Sequence, residues 1–406
     1  MPGDYSKVYT LQLDRGRQSS LLRHHPWIFS GAIKRVQGLP EPGATVRVTD
    51  SGGNFQAWAA WSPSSQIRAR VWSFTESEAI DADFFRRRIR QACQRRAGLL
   101  GQAERNACRL IFAESDGLPG LIVDRYADYL SCQFLTTGVE YWKQEIVAAL
   151  AEEIQAWCEC QGIYERSDVS VRAREGLPQQ KGVLWGKEPP ALLEINEAGR
   201  RIAVSLCHGH KTGFYLDQYD NREIIRQLSS GRSVLNCFSY TGSFALAALQ
   251  GNARQVLNID SSAPALDLAE HNRELNQFAA SQWEQIGGNV FEVLRDLQES
   301  GRQFDLIILD PPKFADTRSQ LNKAARAYKD IALQAAALLT PGGLLATFSC
   351  SGAVEQGLFQ KITADALLDA GREGQILRFL QQAEDHPVAL PFPEAFYLKG
   401  LLCRVD

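Results

Sequence analysis

The sequence has no apolar run approaching the length of a membrane span, and its start, "MPGDYSKVYTLQLDRGRQSS", has no signal-peptide core. Both absences point to a cytoplasmic protein with no membrane partner. Nine cysteines include no CxxC pair, and "CEC" at Cys158 to Cys160 is too close for the usual zinc spacing. They read as reduced thiols, with no metal site. Internal repeats and low-complexity tracts are missing too. Net charge is only -3, which gives no global sign of a polyanionic partner. One absence is chemically specific. "SVLNCFSYTGSFALAALQG" has the strand, tight turn and helix of a nucleotide loop, but only Gly242 where GxGxxG has three glycines. Without the second glycine, close backbone approach to a pyrophosphate is hindered, which argues against a dinucleotide and an oxidoreductase.

What is present is an ordinary globular composition, 45% hydrophobic and 22% charged, over 406 residues, enough for two or three domains. Charge is unevenly spread. Residues 1–75 carry nine Lys and Arg against four acids, so a basic N-terminal module precedes an acidic remainder, a pattern compatible with a polyanion contact at one end. That module reads as short strands: "ATVRVTD" alternates, "SGGN" turns, "FQAWAAW" follows and "SQIRARVWSF" alternates again. From Asp81, "DADFFRRRIRQACQRRAGLL" sets Phe85, Ile89, Ala92, Cys93 and Leu100 near one helical face and six arginines largely on the other. A solubilising face explains such a run more often than a phosphate contact. Then "LPGLIVDRYADYLSCQFL" reads as a hairpin, "YWKQEIVAALAEEIQAWCE" as a helix and "YERSDVSVRARE" as a strand region. The pattern predicts a small all-β unit over residues 1–75, a compact α+β unit over 76–188, and a third domain over 189–406. In the third, "SVLNCF", "RQVLNID", "SQWEQI", "FDLIILD" and "GLLATFSC" alternate with helix-length segments, the rhythm of an α/β, Rossmann-like, mostly parallel sheet.

Three strand ends of that sheet carry chemistry. "VLNID" ends in Asp260, eighteen residues beyond Gly242, where an acid can accept both hydroxyls of a ribose. "FDLIILDPPKF" is an apolar strand stopped by Asp310 and two prolines, which end sheet pairing and project Asp310, Lys313 and Phe314 over the carboxyl edge. The following strand ends at "FSCSG", so Cys350 falls at the same edge as Asp310 and faces the same cleft. A lone cysteine is usually inert filling; convergence with an acid and a nucleoside pocket is what singles this one out.

"NCFSYTGSFALAA", "NIDSS", "LDPPKF", "FSCSG", "GHKTGFYLDQYDNR" and "DHPVALPFPEAFYLKGL" together resemble the class I S-adenosylmethionine-dependent methyltransferases that act on cytosine C5 of large-subunit (23S) ribosomal RNA. "HPWIFSGAI" and "SPSSQIRARVWSF" resemble their N-terminal PUA domain, a small RNA-binding β-barrel. The resemblance spans essentially the whole chain in matching order. It implies S-adenosyl-L-methionine as cofactor, ribosomal RNA as partner, and Cys350 as the nucleophile that attacks cytosine C6. By the same resemblance Asp310 holds the N3/N4 edge of the base, and Lys313 and Phe314 lie against the substrate. Lys313 either lowers the thiol pKa or holds a phosphate; a solvated turn lysine explains it as well. Asn236, Phe238, Tyr240 and Gly242 cradle the amino-acid part of the cofactor, and Asp260 takes its ribose. Asn289 occupies the adenine-contacting position, where relatives usually carry Asp. Thr212, Phe214 and Asp217 of "KTGFYLDQ" close over the methionine end, unless Asp217 simply caps a helix. Other RNA cytosine-C5 enzymes carry a second cysteine where Pro312 stands, so the base that removes the C5 proton is not identified. The oligomeric state stays open between monomer and homodimer.

The rivals share the fold. Enzymes that methylate guanine N7 have similar "DPP" and "KTGFYLDQ" patterns but need no nucleophile, so Cys350 discriminates against them. Amine-directed enzymes favour an aromatic where Lys313 stands. Uracil C5 also needs a cysteine and is disfavoured by the overall resemblance. A non-catalytic RNA-binding assembly factor is disfavoured by intact Asp260, Asp310 and Cys350.

Overall fold

The computed structural model of the chain describes residues 9–406 apart from 103 and 316, and the side chain of residue 318 is also outside it. Lys7 and Asp4, counted in the basic balance of the N-terminal module, lie outside the described residues. The chain forms two compact units. The first holds the residues up to Asn196 together with Val204–Leu216 and Asp385–Ala395; the second holds Glu197–Ala203, Asp217–Glu384 and Phe396–Asp406.

In the first unit, six strands form one sheet in the order Trp27–Phe29, Ile67–Ser73, Phe55–Trp61, Thr45–Thr49, Tyr9–Leu13 and Ile33–Gln37. Alternation explains it: Leu11, Leu13, Val46, Val48, Ala57, Ala59, Ala69 and Val71 point inward and are buried. A second sheet runs Gln180–Gly186, Gly162–Ser167, Tyr129–Phe134, Leu121–Tyr126 and Ala107–Phe112. The helix Ala82–Arg95 packs on this sheet through Phe84, Phe85, Ile89, Ala92 and Cys93, and the Asp81 carboxylate caps it by accepting from the Phe84 N–H at 2.9 Å.

The expected helix through Leu100 breaks at Arg96. Its guanidinium is drawn inward to Asp116, at 2.7 and 2.9 Å, and a separate turn, Ala97–Leu100, follows. Arg86, Arg87, Arg88 and Arg90 pair with Asp83, Glu78, Glu152 and Glu153, so the arginine face is occupied by acids of the same unit. "YERSDVSVRARE" is strand only to Ser167. The rest is a 3₁₀ helix, Ser170–Glu175, because Arg172 is fully buried and must turn inward to the carbonyls of Phe134 and Pro178 and to Glu140.

The second unit is built on β1 (Ser233–Cys237), β2 (Gln255–Asp260), β3 (Trp283–Gly287), β4 (Phe304–Leu309), β5 (Leu339–Ser349), β6 (Gly374–Gln381) and β7 (Lys399–Val405). Their order in the sheet is β3-β2-β1-β4-β5-β7-β6. The first five run parallel, and β7 is inserted antiparallel between β5 and β6. Strand residues of alternate parity enter two separate cores. Leu235, Ile259, Ile307, Leu309 and Leu345 meet helices α4 (Val290–Glu299), α5 (Leu321–Leu338) and α6 (Gln356–Asp369). Val234, Val256, Leu306, Ile308 and Ala346 meet α1 (Tyr219–Leu228) and α2 (Ser243–Gln250) on the other face. Burial on both faces is why these strands read as unbroken apolar runs. Helix α3 (Ala263–Leu275) links β2 to β3 and is capped by Ser262.

Candidate active site

Strands β1, β2 and β4 stop within a residue of one another. Cys237 lies opposite both Ile259 and Leu309, so Phe238 and Asp310, the first residues past their strands, and Asp260, the last of β2, share one edge of the sheet. Leu309 is opposite Thr347, and β5 ends two residues later at Ser349, which brings Cys350 to that edge beside Asp310. A carboxyl edge next to the point where strand order reverses is where an open α/β sheet binds ligands.

The turn after β1 is strained in a regular way. Phe238, Tyr240 and Gly242 have φ of 59°, 48° and 78°, left-handed values that cost a side-chain-bearing residue about 1–2 kcal/mol. The backbone is held there by the Tyr240 N–H donating to Asp260 Oδ2 at 2.8 Å and by the Ser239 N–H donating to the Ile259 carbonyl at 3.0 Å. Glycine is required at 242, since a Cβ would sit 2.9 Å from Trp283 and 3.1 Å from Ala269. Strain of this kind collects at ligand sites. So do unsatisfied polar atoms: Asn236 Oδ1, Ser239 Oγ, Thr241 Oγ1 and Asn258 Nδ2 are buried without hydrogen-bond partners. A ligand bearing both a carboxylate and an ammonium matches such a mixture of donors and acceptors. Asn236 is tied through its Nδ2, which donates to Asn258 Oδ1 at 2.9 Å, and this bond fixes the amide with its oxygen unsatisfied.

Asp260 accepts from two backbone donors, Tyr240 N–H on one oxygen and Ser262 N–H, at 2.9 Å, on the other. Each oxygen keeps a second lone pair, enough for two ribose hydroxyls. Asn289 is exposed at the start of α4, and its Oδ1 caps that helix by accepting from the Phe291 N–H at 3.1 Å. The residue therefore explains its own presence as a cap, whatever else it contacts. Asp217 does not cap a helix: α1 begins after Gln218 with no side-chain cap. Its carboxylate instead accepts from the Tyr397 hydroxyl at 2.5 Å. Thr212 and Phe214 belong to the first unit. There Thr212 Oγ1 donates to Asp124 at 2.5 Å, and the Phe214 N–H donates to the Tyr126 hydroxyl at 3.1 Å.

Of the three cysteines in the second unit, Cys237 and Cys403 are buried, and burial pushes both thiols up, Cys403 to about 11. Cys350 alone among them is half-exposed. It is bracketed by two buried serines that share one anchor. Ser349 Oγ donates to the Tyr328 hydroxyl at 3.0 Å, which is also 3.1 Å from Ser351 Oγ. Burial pushes the Tyr328 phenol up, so it stays a neutral hydrogen-bond group. The Ala315 N–H reaches Ser351 Oγ at 3.3 Å, coupling the loop after Asp310 to the loop carrying Cys350. Phe314 packs on Tyr328, 4.8 Å between ring centres, while Lys313 is exposed. From β7 the buried Lys399 donates through Nζ to the Ser351 carbonyl at 2.9 Å.

Tyr328, Ser349, Ser351 and Lys399 were not singled out in the sequence. A signal existed for two of them: the serines flanking the cysteine in "FSCSG". The other usable signal was one lysine inside the apolar run "FYLKGLLC".

Residues 116–404 match the model of the S-adenosylmethionine-dependent methyltransferase family, and residues 11–74 match a PUA-like domain. The chain is 52% identical over 394 residues to ribosomal RNA large subunit methyltransferase I of Aeromonas salmonicida, covering 97% of this chain and 98% of the relative. The chain belongs to the ribosomal RNA large subunit methyltransferase I family. Its relatives from Yersinia pestis, at 52% over 395 residues, and Tolumonas auensis, at 51% over 396 residues, each cover 97% of this chain and 99% of the relative. A Streptococcus mutans structure named for S-adenosylmethionine-dependent methyl transfer has the same fold, with TM-score 0.84 at 22% identity over 98% of this chain and all of that one. The cofactor of this methyltransferase is therefore S-adenosyl-L-methionine, and the unsatisfied polar atoms and fixed turn after β1 suit its amino-acid part. Among the described residues, no group of three or more His, Cys, Asp and Glu is arranged to hold a metal ion, and no helix is long and apolar enough to cross a membrane.

Proposed function

We propose that this methyltransferase modifies C5 of a cytosine in 23S ribosomal RNA through a covalent adduct between Cys350 and C6 of the base. Cytosine C5 is a poor nucleophile. Attack of the Cys350 thiolate at C6 makes C5 enamine-like, while Asp310 hydrogen-bonds the N3/N4 edge and favours protonation at N3. S-adenosyl-L-methionine, when bound, supplies an electrophilic methyl group to the active site. Once C5 has bonded to that methyl group, a base takes the C5 proton, the C–H electron pair re-forms the C5–C6 double bond, the C6–S bond breaks to release Cys350 as thiolate, and loss of the N3 proton restores the aromatic base. Asn236, Phe238, Tyr240 and Gly242 hold the amino-acid part of the cofactor, Asp260 its ribose and Asn289 its adenine. Lys313 and Phe314, on the loop after Asp310, meet the RNA.

The reading rests on one observation: the half-exposed thiol of the second unit and Asp310 terminate neighbouring parallel strands. The relatives' names supply the RNA class. We further divide the chain into an RNA-binding PUA-like domain at residues 1–75, an α+β domain at 76–188 and the methyltransferase domain at 189–406, acting in the cytoplasm. The test is incubation of ribosomal RNA with labelled cofactor and identification of the methylated nucleoside. 5-Methylcytidine is expected; 7-methylguanosine or 5-methyluridine refutes the assignment.

A further inference from the structure

Lys399 is the first residue of β7 and lies directly opposite Ser349, the residue before Cys350. Its side chain is 3% exposed, yet its ammonium has one hydrogen bond, to the Ser351 carbonyl at 2.9 Å. Among the described residues no carboxylate forms a salt bridge with it. A buried ammonium with two unused donors and no acidic partner is costly, and such groups concentrate where charge is needed for chemistry. Spanning from the residue opposite 349 to the carbonyl of 351, this side chain runs past Cys350. Two groups at that edge can carry negative charge, the Cys350 sulfur and the Asp310 carboxylate; Asp310 forms no salt bridge with Lys399, whereas charge on the Cys350 sulfur acts on the ammonium directly.

We propose that Lys399 is the counter-ion that keeps the Cys350 sulfur ionised, a positioning residue that acts on the base only through the cysteine. The inference rests on the reading of Cys350 as nucleophile. The step is an ionisation: the S–H bond breaks, its electron pair stays on sulfur, and the proton passes to solvent at the half-exposed thiol. Expulsion of the cysteine at the end of the reaction regenerates the same ion pair. Burial presses Lys399 toward its neutral form, negative charge on Cys350 favours its cation, and the Lys313 ammonium opposes it. The other polar groups at this edge are Asp310, at the end of β4, the neutral Tyr328 phenol on α5, and the Asp217–Tyr397 pair two residues before Lys399. Gln381, opposite Lys399 on β6, is uncharged.

The test is alkylation of the full-length protein by iodoacetamide across pH 5–10 (a range set by the ordinary thiol pKa of about 8.5), without RNA or cofactor, with the Cys350 peptide quantified by mass spectrometry. Wild type is expected to alkylate with a midpoint below the ordinary thiol value of about 8.5. Lys399→Met is expected to raise that midpoint by about one pH unit or more and slow alkylation at neutral pH about tenfold. Lys399→Arg, which keeps the charge, is expected to retain the low midpoint. A wild-type midpoint at or above about 8.5 overturns the proposal and needs no folded variant. So does a folded Lys399→Met protein with the wild-type profile. If the profile shifts as expected while Cys350→Ala still methylates RNA, the ion pair stands and the nucleophilic role of Cys350 fails.

Discussion

Gly242→Ala tests the cofactor turn through a magnitude taken from its geometry. The added methyl group meets two obstacles. At φ of 78° an L-residue pays about 1–2 kcal/mol of backbone strain. Its Cβ would also lie 2.9 Å from Trp283 and 3.1 Å from Ala269, an overpacking that typically costs about 1–3 kcal/mol. The sum is about 2–5 kcal/mol, and about 3 kcal/mol lowers the melting of a unit of this size by roughly 6–12 °C. Because Gly242 caps α2, straight after Tyr240 and Thr241, relaxation of the clash also moves the turn proposed to hold the cofactor. Calorimetry should therefore show both a lower melting temperature and cofactor binding weakened at least about tenfold, or 1.4 kcal/mol. Gly357→Ala in α6 is the control: nothing lies within 4 Å of its added Cβ, and alanine favours a helix by up to about 1 kcal/mol. It should leave stability unchanged or raised. A Gly242→Ala protein that melts and binds like wild type would refute the account of the turn.

Other perturbations probe the surroundings. Tyr328→Phe removes the hydroxyl shared by Ser349 and Ser351; it should cost about 1–3 kcal/mol in unfolding experiments and slow methyl transfer, with cofactor affinity unchanged. Loss of cofactor affinity instead would move Tyr328 out of the cysteine loop's support. In the first unit, burial pushes the Asp385 carboxyl up, but His386, Arg105 and the Arg109 N–H outweigh it and hold it at about 2. A carboxyl depressed in the folded state stabilises above its unfolded pKa of about 3.9 and loses that contribution as pH falls toward 2, about 2.5 kcal/mol in all. Chemical denaturation between pH 5 and 2 should show this loss in wild type and a flatter profile in Asp385→Asn (the window follows from the unfolded pKa of about 3.9). Equal slopes would contradict it.

The parallel strands of the second unit were legible because burial on both faces leaves them uniformly apolar. The last two were not. Gly374–Gln381 mixes exposed Leu377 and Phe379 with polar residues, so neither alternation nor an apolar run stands out. Lys399–Val405 is apolar, but its insertion between β5 and β6 is set by pairing with residues some fifty positions earlier, which no local pattern encodes. The same pairing hid Lys399. In contrast, the approach of Asp310 and Cys350 followed from two consecutive strands ending after their apolar runs. In the first unit, Arg96 and Arg172 broke the expected elements, since buried guanidinium partners far along the chain outweighed local periodicity. The strand Ala107–Phe112 also went unread, its pattern interrupted by Arg109, which is buried against Asp124 at 2.8 Å.

The central claim is that Cys350 bonds to cytosine C6, and it is most directly tested with RNA carrying 5-fluorocytidine, whose C5 fluorine cannot leave as the C5 proton does. With S-adenosyl-L-methionine present, wild type should form a protein–RNA complex that survives denaturing electrophoresis and carries the RNA on the Cys350 peptide. Cys350→Ala should form none while still binding the cofactor. A stable complex with Cys350→Ala, or RNA attached at another residue, would contradict the account.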